Sequence, residues 1–251
     1  SGSDMTRQRT DRILCDVIAT KAETDPDHDV LTFEHLSLDG GTTPDEVRTY
    51  ADLHLNGNAI ATELIRRGLE RGDRVALMMR NHPEYVETLI WAAAAGVCIV
   101  PVDPRTKGDK LAFVLRDSGC RAVICADYSY PAVAAAIDRG ANPELVMVLV
   151  SGEEGAEPVD GQQVTPLGDV IAMAADLPIV NVRLETGSEP WQIMYTSGTT
   201  GDPKGVIWDV SRFGATGMLG YLLGYRPDER PYTGLSLTHG NAQAVTLGPS
   251  V

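Results

Sequence analysis

Residues 74–105 read RVALMMRNHPEYVETLIWAAAAGVCIVPVDPR, and this stretch decides the fold class. The apolar run from Val75 to Met79 predicts a buried strand, and Pro83 to Ala95 has the length and composition of a helix packed against it. Val97 to Val100 predicts the next strand, and Gly96 allows helix and strand to approach closely. Because strands that alternate with helices form parallel sheets, the stretch predicts an α/β fold.

The same alternation continues in both directions along the chain. Upstream, Asp11 to Ala22 has helical spacing, Val30 to Phe33 is extended, and a further helix starts where the Thr49 hydroxyl can act as a cap with Asp52 reaching back. The predicted strands are apolar throughout, as buried parallel strands are. The downstream elements expected are a helix at Lys110 to Ser118, a strand at Ala122 to Cys125, a helix at Pro131 to Asp138, a strand at Leu145 to Val150, a surface loop at 151–166, a short helix near Leu167 to Ala174, a strand at Trp191 to Tyr195, a helix at Ser211 to Leu223 and a strand at Tyr232 to Leu237.

Length and composition limit the classes of function. The chain has 251 residues, of which 43% are hydrophobic and 22% charged, and no apolar stretch approaches the roughly 20 residues that span a bilayer. A formal net charge of −14 argues against nucleic acid as a partner. We expect no membrane span and, because 1–12 has no apolar leader, a cytoplasmic location. Residues 1–4, before Met5, are typical of a cloning remnant.

The four cysteines predict neither a zinc site nor a redox centre. Cys15, Cys98, Cys120 and Cys125 lack the paired short spacing of zinc ligands. Cys98 and Cys125 lie in apolar runs that predict buried strands. Free, reduced thiols are therefore expected.

The strand at Trp191 to Tyr195 runs directly into TSGTTGDPKG, residues 196–205. Glycines let backbone N–H groups converge on an anion, hydroxyl groups add donors, and a lysine supplies a mobile positive charge. These residue types after a strand predict a loop that holds a polyphosphate. The candidate binding residues are Thr196, Ser197, Gly198, Thr199, Thr200, Gly201 and Lys204.

Two other interpretations of this loop are weaker. A flexible Gly/Thr linker gives no reason for Lys204 after the rigid Pro203. A P-loop NTPase requires lysine directly after the second glycine and a hydroxyl directly after the lysine, whereas Asp202 and Pro203 intervene here.

The stretch YTSGTTGDPKGV, residues 195–206, resembles the signature loop of the adenylate-forming superfamily, which contains acyl-CoA synthetases, peptide-synthetase adenylation domains and luciferases. The segments at 49–81 and 91–105 resemble the early helix and strand of that family and its AG-x-x-x-VP-x-(D/N) segment, so the resemblance covers nearly the whole chain. It implies the large N-terminal α/β domain of the family, here with a first subdomain at 5–180 and the start of a second at 181–251, and without the C-terminal half of the family fold.

The resemblance also implies a reaction and its participants. The loop would grip the β- and γ-phosphates of ATP, with Mg²⁺, while a carboxylic acid attacks the α-phosphate, and coenzyme A would then accept the acyl group. The segments with the adenine-side Tyr-Gly-x-Thr-Glu, the ribose-binding aspartate and the catalytic lysine have no counterpart here. Two alternative functions remain open: loading of a carrier-protein phosphopantetheine, and nucleotide binding by a non-catalytic fragment. Association into a homo-oligomer also remains open.

His239 is the candidate catalytic residue. It follows YTGLSLT, where acyl-CoA synthetases of the family often carry an aromatic-His pair that lines the acyl and nucleotide pockets. Thr238 replaces the aromatic residue in this chain. From the residues alone, a lone histidine is more often a hydrogen-bonded structural residue.

Overall fold

The computed structural model describes residues 8–35, 44–152, 164–184, 186–196, 202–211, 226 and 229–248. Its elements form a two-stranded antiparallel sheet and a seven-stranded sheet, with helices between the strands. The helices are α1 (Leu14–Thr24), α2 (Tyr50–Arg66), α3 (Pro83–Ala95), α4 (Gly108–Asp117), α5 (Tyr130–Asp138), α6 (Leu167–Ala172) and α7 (Gly240–Leu247), and a 3₁₀ turn covers Ala174–Asp176. The strands are β1 (Asp29–Phe33), β2 (Glu46–Thr49), β3 (Arg74–Met78), β4 (Cys98–Pro101), β5 (Cys120–Ala126), β6 (Leu145–Leu149), β7 (Val164–Pro166), β8 (Pro190–Thr196) and β9 (Lys204–Asp209).

The large sheet has the strand order β7-β6-β5-β3-β4-β8-β9. All its neighbouring strands are parallel except β8 and β9, which form an antiparallel hairpin at one end of the sheet. The mainly parallel α/β fold expected from the alternation is therefore confirmed. Because β3, β4 and β8 run in the same direction, their carboxyl ends meet along one edge of the sheet.

Helices cover both faces of the sheet. One apolar cluster joins α1, α2, α3, α6 and α7 to the sheet through buried side chains such as Leu53, Leu64 and Leu89. A second cluster joins α4 and α5 to the opposite face through Leu111, Leu115 and Val133. Both faces of the central strands are thus buried, which is why those strands are apolar without alternation.

Two local signals in the sequence produced the expected geometry. Thr49 Oγ1 accepts a hydrogen bond from Asp52 N (3.2 Å), and Thr49 N donates to Asp52 Oδ2 (2.8 Å), which makes the capping box at the start of α2. Gly96 ends α3 with φ of 73°, and a Cβ there would lie 3.0 Å from Arg183 Cβ. Glycine is therefore needed at this turn both for its conformation and for space.

Some expectations about elements were wrong. Residues 232–237 do not form a strand, because the backbone groups of Leu235 and Leu237 bond to side chains of other segments instead of a neighbouring strand. The surface loop expected at 151–166 ends in strand β7, which pairs with β6. The helix expected at Ser211 to Leu223 lies, after Ser211, outside the described residues.

The subdomain division at residue 180 stays a prediction. Strands β8 and β9 extend the same sheet as β3 to β7.

Candidate functional site

The predicted phosphate loop closes the β8–β9 hairpin at the carboxyl edge of the sheet. Thr196, the last residue of β8, pairs with Lys204, the first residue of β9, and Thr196 Oγ1 donates to the Lys204 carbonyl (3.4 Å). Both residues are exposed. Ser197, Gly198, Thr199, Thr200 and Gly201 lie outside the described residues.

Two contacts fix the end of this hairpin. The Tyr195 hydroxyl donates to Asp117 Oδ2 (2.6 Å), which ties the hairpin to the last residue of α4. Burial, followed by the hydrogen bond to the Asp117 carboxylate, raises the pKa of Tyr195, so the phenol remains the donor at neutral pH. Opposite Tyr195, Gly205 leaves room for the tyrosine ring.

Strand β9 also contacts the amino end of α7. A Cβ built on Gly240 would lie 2.5 Å from Trp208 Cη2, so the indole packs directly on the backbone of the first residue of this helix. Only glycine permits this approach without a shift of the indole. The hairpin and the beginning of α7 are thereby held together.

His239 occupies the N-cap position of α7. Its carbonyl accepts hydrogen bonds from Ala242 N (3.1 Å) and Gln243 N (3.2 Å), and its side chain makes no cap bond. The exposed imidazole therefore projects from a helix amino terminus, where the helix dipole favours anions.

Asp103, just beyond the carboxyl end of β4, lies within electrostatic reach of His239. Arg105 donates to both Asp103 carboxylate oxygens, from Nε to Oδ1 (3.0 Å) and from a terminal nitrogen to Oδ2 (2.6 Å). These hydrogen bonds are the largest reason why the pKa of Asp103 is lowered, and His239 contributes less. Asp103 and Thr196 lie at the same edge because β4 and β8 are parallel neighbours, and the electrostatic effect of His239 on Asp103 places the histidine near this edge.

A buried pair of amides connects the hairpin to α7. Gln192 Nε2 donates to Gln243 Oε1 (2.9 Å), and Gln243 Nε2 is 3.1 Å from Gln192 Oε1. Gln192 is fully buried and Gln243 nearly so. Buried polar side-chain atoms generally have hydrogen-bond partners, and these two amides provide partners for each other. The available signal in the sequence was the polar residue Gln192 inside the apolar strand WQIMY.

Neither thiol chemistry nor a protein-built metal cluster marks the described residues. All four cysteines are buried, and burial raises the pKa of Cys98 to about 12 and of Cys120 to about 11. The described ranges contain no group of three or more His, Cys, Asp or Glu side chains that could hold a metal ion. Within the same ranges, no helix combines the length and apolar character that a bilayer crossing requires.

The fold and the position of the hairpin define a three-layer α/β protein with a candidate site at the carboxyl edge of a parallel sheet. Residues 18–251 match the family model described as AMP-binding enzyme, and the chain belongs to that family. It corresponds to the N-terminal portion of the adenylate-forming superfamily, as the resemblance implied.

Curated relatives include two kinds of adenylate-forming protein. The long-chain-fatty-acid–CoA ligase FadD13 of Mycobacterium tuberculosis is 35% identical over 159 residues, which are 63% of this chain and 29% of the ligase. The nonribosomal peptide synthetase NPS2 of Ceriporiopsis subvermispora is 30% identical over 169 residues, which are 66% of this chain and 6% of the synthetase. The chain therefore spans less than a third of each of these relatives.

Solved structures share the fold at low sequence identity. The anthranilate CoA ligase AuaEII in complex with anthranoyl-AMP has a TM-score of 0.75 and 16% identity, over 95% of this chain and 43% of that one. VinN in complex with L-aspartate has a TM-score of 0.75 and 20% identity, over 95% of this chain and 55% of that one.

Proposed function

We propose that the protein uses ATP to activate a carboxylic acid as an acyl-adenylate and then transfers the acyl group to the thiol of coenzyme A. The observation that carries this proposal is the signature loop at 196–205, closed by the pairing of Thr196 with Lys204. Membership of the AMP-binding family and the similarity to a fatty-acid–CoA ligase support the same reaction.

In the first half-reaction, a carboxylate oxygen attacks the α-phosphorus of ATP, and the bond to the β-phosphate oxygen breaks. Pyrophosphate leaves with the electron pair of that bond, so negative charge grows on the group that the loop would hold. Backbone amides and an ammonium group that a protein holds in a fixed orientation stabilise such charge better than water does, and this is the role that we propose for the loop and Lys204. Mg²⁺ would enter with the ATP phosphates as part of the substrate.

In the second half-reaction, the thiolate of coenzyme A attacks the acyl carbon and AMP leaves. We assign His239 to the wall of the site. Its position at the amino terminus of α7 suits a residue that lies beside the anionic acyl phosphate, and its imidazole can donate a hydrogen bond there.

The test is ATP–pyrophosphate exchange by the protein with a panel of aliphatic and aromatic carboxylic acids, followed by chromatography for coenzyme A thioesters. We expect exchange that depends on the acid, and a thioester with at least one acid. Failure of exchange across the panel would count against carboxylate activation. Nucleotide binding by calorimetry without any product would favour the nucleotide-binding fragment.

A second function differs only in the acceptor. The similarity to a nonribosomal peptide synthetase favours transfer of the acyl group to the phosphopantetheine arm of a carrier protein. Incubation with coenzyme A and with a phosphopantetheinylated carrier protein in parallel separates the two acceptors. Thioester formation on the carrier protein alone would replace our primary proposal with this one.

A further inference from the structure

Asn81 holds the backbone of a distant segment with both ends of its side-chain amide. Asn81 Nδ2 donates to the Leu235 carbonyl (2.9 Å), and Leu237 N donates to Asn81 Oδ1 (2.8 Å). The two partners have opposite hydrogen-bonding character, so they fix the orientation of the amide. Asn81 thus links the turn after β3 to a segment more than 150 residues away, since the two contacts span 154 and 156 positions.

The same segment is held from its other side by Gln243. Gln243 Nε2 donates to the Leu237 carbonyl (2.9 Å), so both backbone polar groups of Leu237 bond to side chains. Leu237 is only 2% exposed, and its backbone groups would be costly to bury without partners. Asn81 and Gln243 therefore do for this segment what a neighbouring strand would otherwise do.

The chain between Leu237 and His239 has a defined turn. His239 N donates to the Ser236 carbonyl (3.0 Å), the hydroxyls of Ser236 and Thr238 lie 2.9 Å apart, and Thr238 N donates to Ser236 Oγ (3.3 Å). A shift of Leu237 is consequently passed to His239, two residues further on.

The anchor itself is well placed to be rigid. Asn81 lies between the end of β3 and the start of α3, and the preceding Arg80 N donates to the Tyr128 hydroxyl (2.6 Å). His82, which follows, is the N-cap of α3 and lies 3.0 Å from the same hydroxyl through Nε2.

We infer that Asn81 is a positioning residue, which fixes the segment at 235–239 and thereby sets the position of His239 at the carboxyl edge of the sheet. This inference rests on the proposed function insofar as His239 lines the site. The effect of Asn81 on the position of residues 235–239 does not depend on the reaction and can be measured without catalytic turnover.

The first experiment measures amide hydrogen exchange in Asn81→Leu, which removes both hydrogen bonds but keeps the branching of the side chain, and in Asn81→Asp, which keeps the acceptor for Leu237 N. We expect the Leu237 amide to exchange at least about tenfold faster in Asn81→Leu, and to keep most of its protection in Asn81→Asp. The matched control is Asn142→Leu, at an exposed asparagine near the amino end of β6, and should leave this amide unchanged.

The second experiment separates positioning from general support of the fold. The Cε1–H resonance of His239, assigned by its loss in His239→Gln, should shift and broaden in Asn81→Leu and stay unchanged in Asn142→Leu. In pyrophosphate exchange, Asn81→Leu should lower kcat roughly 10- to 100-fold with little change in the KM for ATP, because the two hydrogen bonds that it removes go to Leu235 and Leu237 and not to Thr196 or Lys204.

The outcomes for the two proposals are distinct. Unchanged Leu237 exchange and an unchanged His239 resonance in a folded Asn81→Leu variant would overturn the positioning role, whatever the activity. If the amide hydrogen exchange of Leu237 and the resonance of His239 change as expected but kcat does not, the position of His239 does not affect the reaction, and that part of the inference is wrong. Absence of pyrophosphate exchange in the unsubstituted protein would count against the proposed function only.

Discussion

Gly205 and Ile193 lie so close to each other on the diagonal of the β8–β9 hairpin that a Cβ on Gly205 would lie 2.8 Å from Ile193 Cγ2. The same Cβ would also lie 3.3 Å from Tyr195 Cζ. Ile193 and Tyr195 both pack against the cluster under α4 and α5, so neither can move away freely. The glycine therefore fixes how tightly the two ends of the predicted phosphate loop approach.

Gly205→Ala is expected to weaken ATP binding and to lower the free energy of unfolding by about 1–3 kcal/mol, because the added methyl overpacks the hairpin. Calorimetry with ATP and chemical denaturation provide the two measurements. Gly168→Ala is the matched control, since nothing lies within 4 Å of its added Cβ in helix α6. Equal ATP affinity in the two variants would show that the loop tolerates a distorted hairpin.

Lys204→Ala should weaken ATP binding about 10- to 100-fold, the size of a lost charge-assisted hydrogen bond. Lys204 is the one basic residue between Tyr195 and Val206, so no neighbour in the loop can replace it. Binding isotherms at fixed ionic strength measure the effect. Lys110→Ala, at another exposed lysine, controls for net charge, and similar losses in both variants would contradict a specific role of Lys204.

Glu87 is a buried carboxyl group in an incomplete network between β2, α2 and α3. Its Oε1 accepts from Arg48 Nε (2.8 Å) and Asn56 Nδ2 (2.9 Å), whereas its Oε2 has no hydrogen-bond partner within the described ranges. Arg48 is shared with Glu46 and Glu84. Burial therefore outweighs these contacts and raises the pKa of Glu87 to about 7.

This carboxyl group should make the protein less stable as the pH rises. The folded state binds its proton more tightly than the unfolded state, so the contribution is fully present below about pH 4.5 and is lost by about pH 7. Between pH 5 and 8, the free energy of unfolding should fall in the unsubstituted protein relative to Glu87→Gln, by at most about 3 kcal/mol. Denaturation at a series of pH values measures this difference. Glu70→Gln, at an exposed site, should show no such trend, and a constant difference for Glu87→Gln would refute the shift.

Gly57→Ala should destabilise the protein although alanine is the better helix former. A Cβ at Gly57 would lie 2.0 Å from Trp91 Cδ1, and Trp91 is only 2% exposed. Overpacking of about 1–3 kcal/mol should exceed the helix propensity gain of about 0.5–1 kcal/mol. Thermal unfolding of Gly57→Ala, Trp91→Leu and the double variant tests the contact. We expect the double variant to be more stable than the sum of the two single effects predicts, because Trp91→Leu removes the group that clashes with the added methyl. Simple additivity would mean that the clash is relieved elsewhere.

Local signals made much of the fold predictable. Helix α3 was expected with the bounds that the structure has, since Pro83 starts it and Gly96 ends it, and the capping pair Thr49 and Asp52 marked the start of α2. The apolar runs around Val75 and Val123 predicted central strands. The family also followed from a short stretch of loop, because residues 195–206 resemble the signature loop of the adenylate-forming superfamily.

What could not be predicted depends on contacts between distant segments. Residues 232–237 alternate like a strand, yet Leu237 N bonds to the side chain of Asn81, 156 positions away, and nothing near that segment in the sequence indicates this partner. The three-residue strand β7 exists because β6 offers it a free edge. The sequence did not indicate that Asp103 and Gln192 lie near the candidate site. The order of the strands in the sheet brings them there.

Strand β4 pairs with two neighbours that lie at very different distances from it along the chain. It pairs with β3, about 20 residues earlier, and with β8, about 90 residues later, and closing the longer loop costs about 1 kcal/mol more conformational entropy. The hairpin should therefore dock late in refolding, after β3 to β6 have already condensed. The hairpin that carries the predicted phosphate loop would then be the last part of the sheet to assemble, and added ATP should slow the unfolding of that part most.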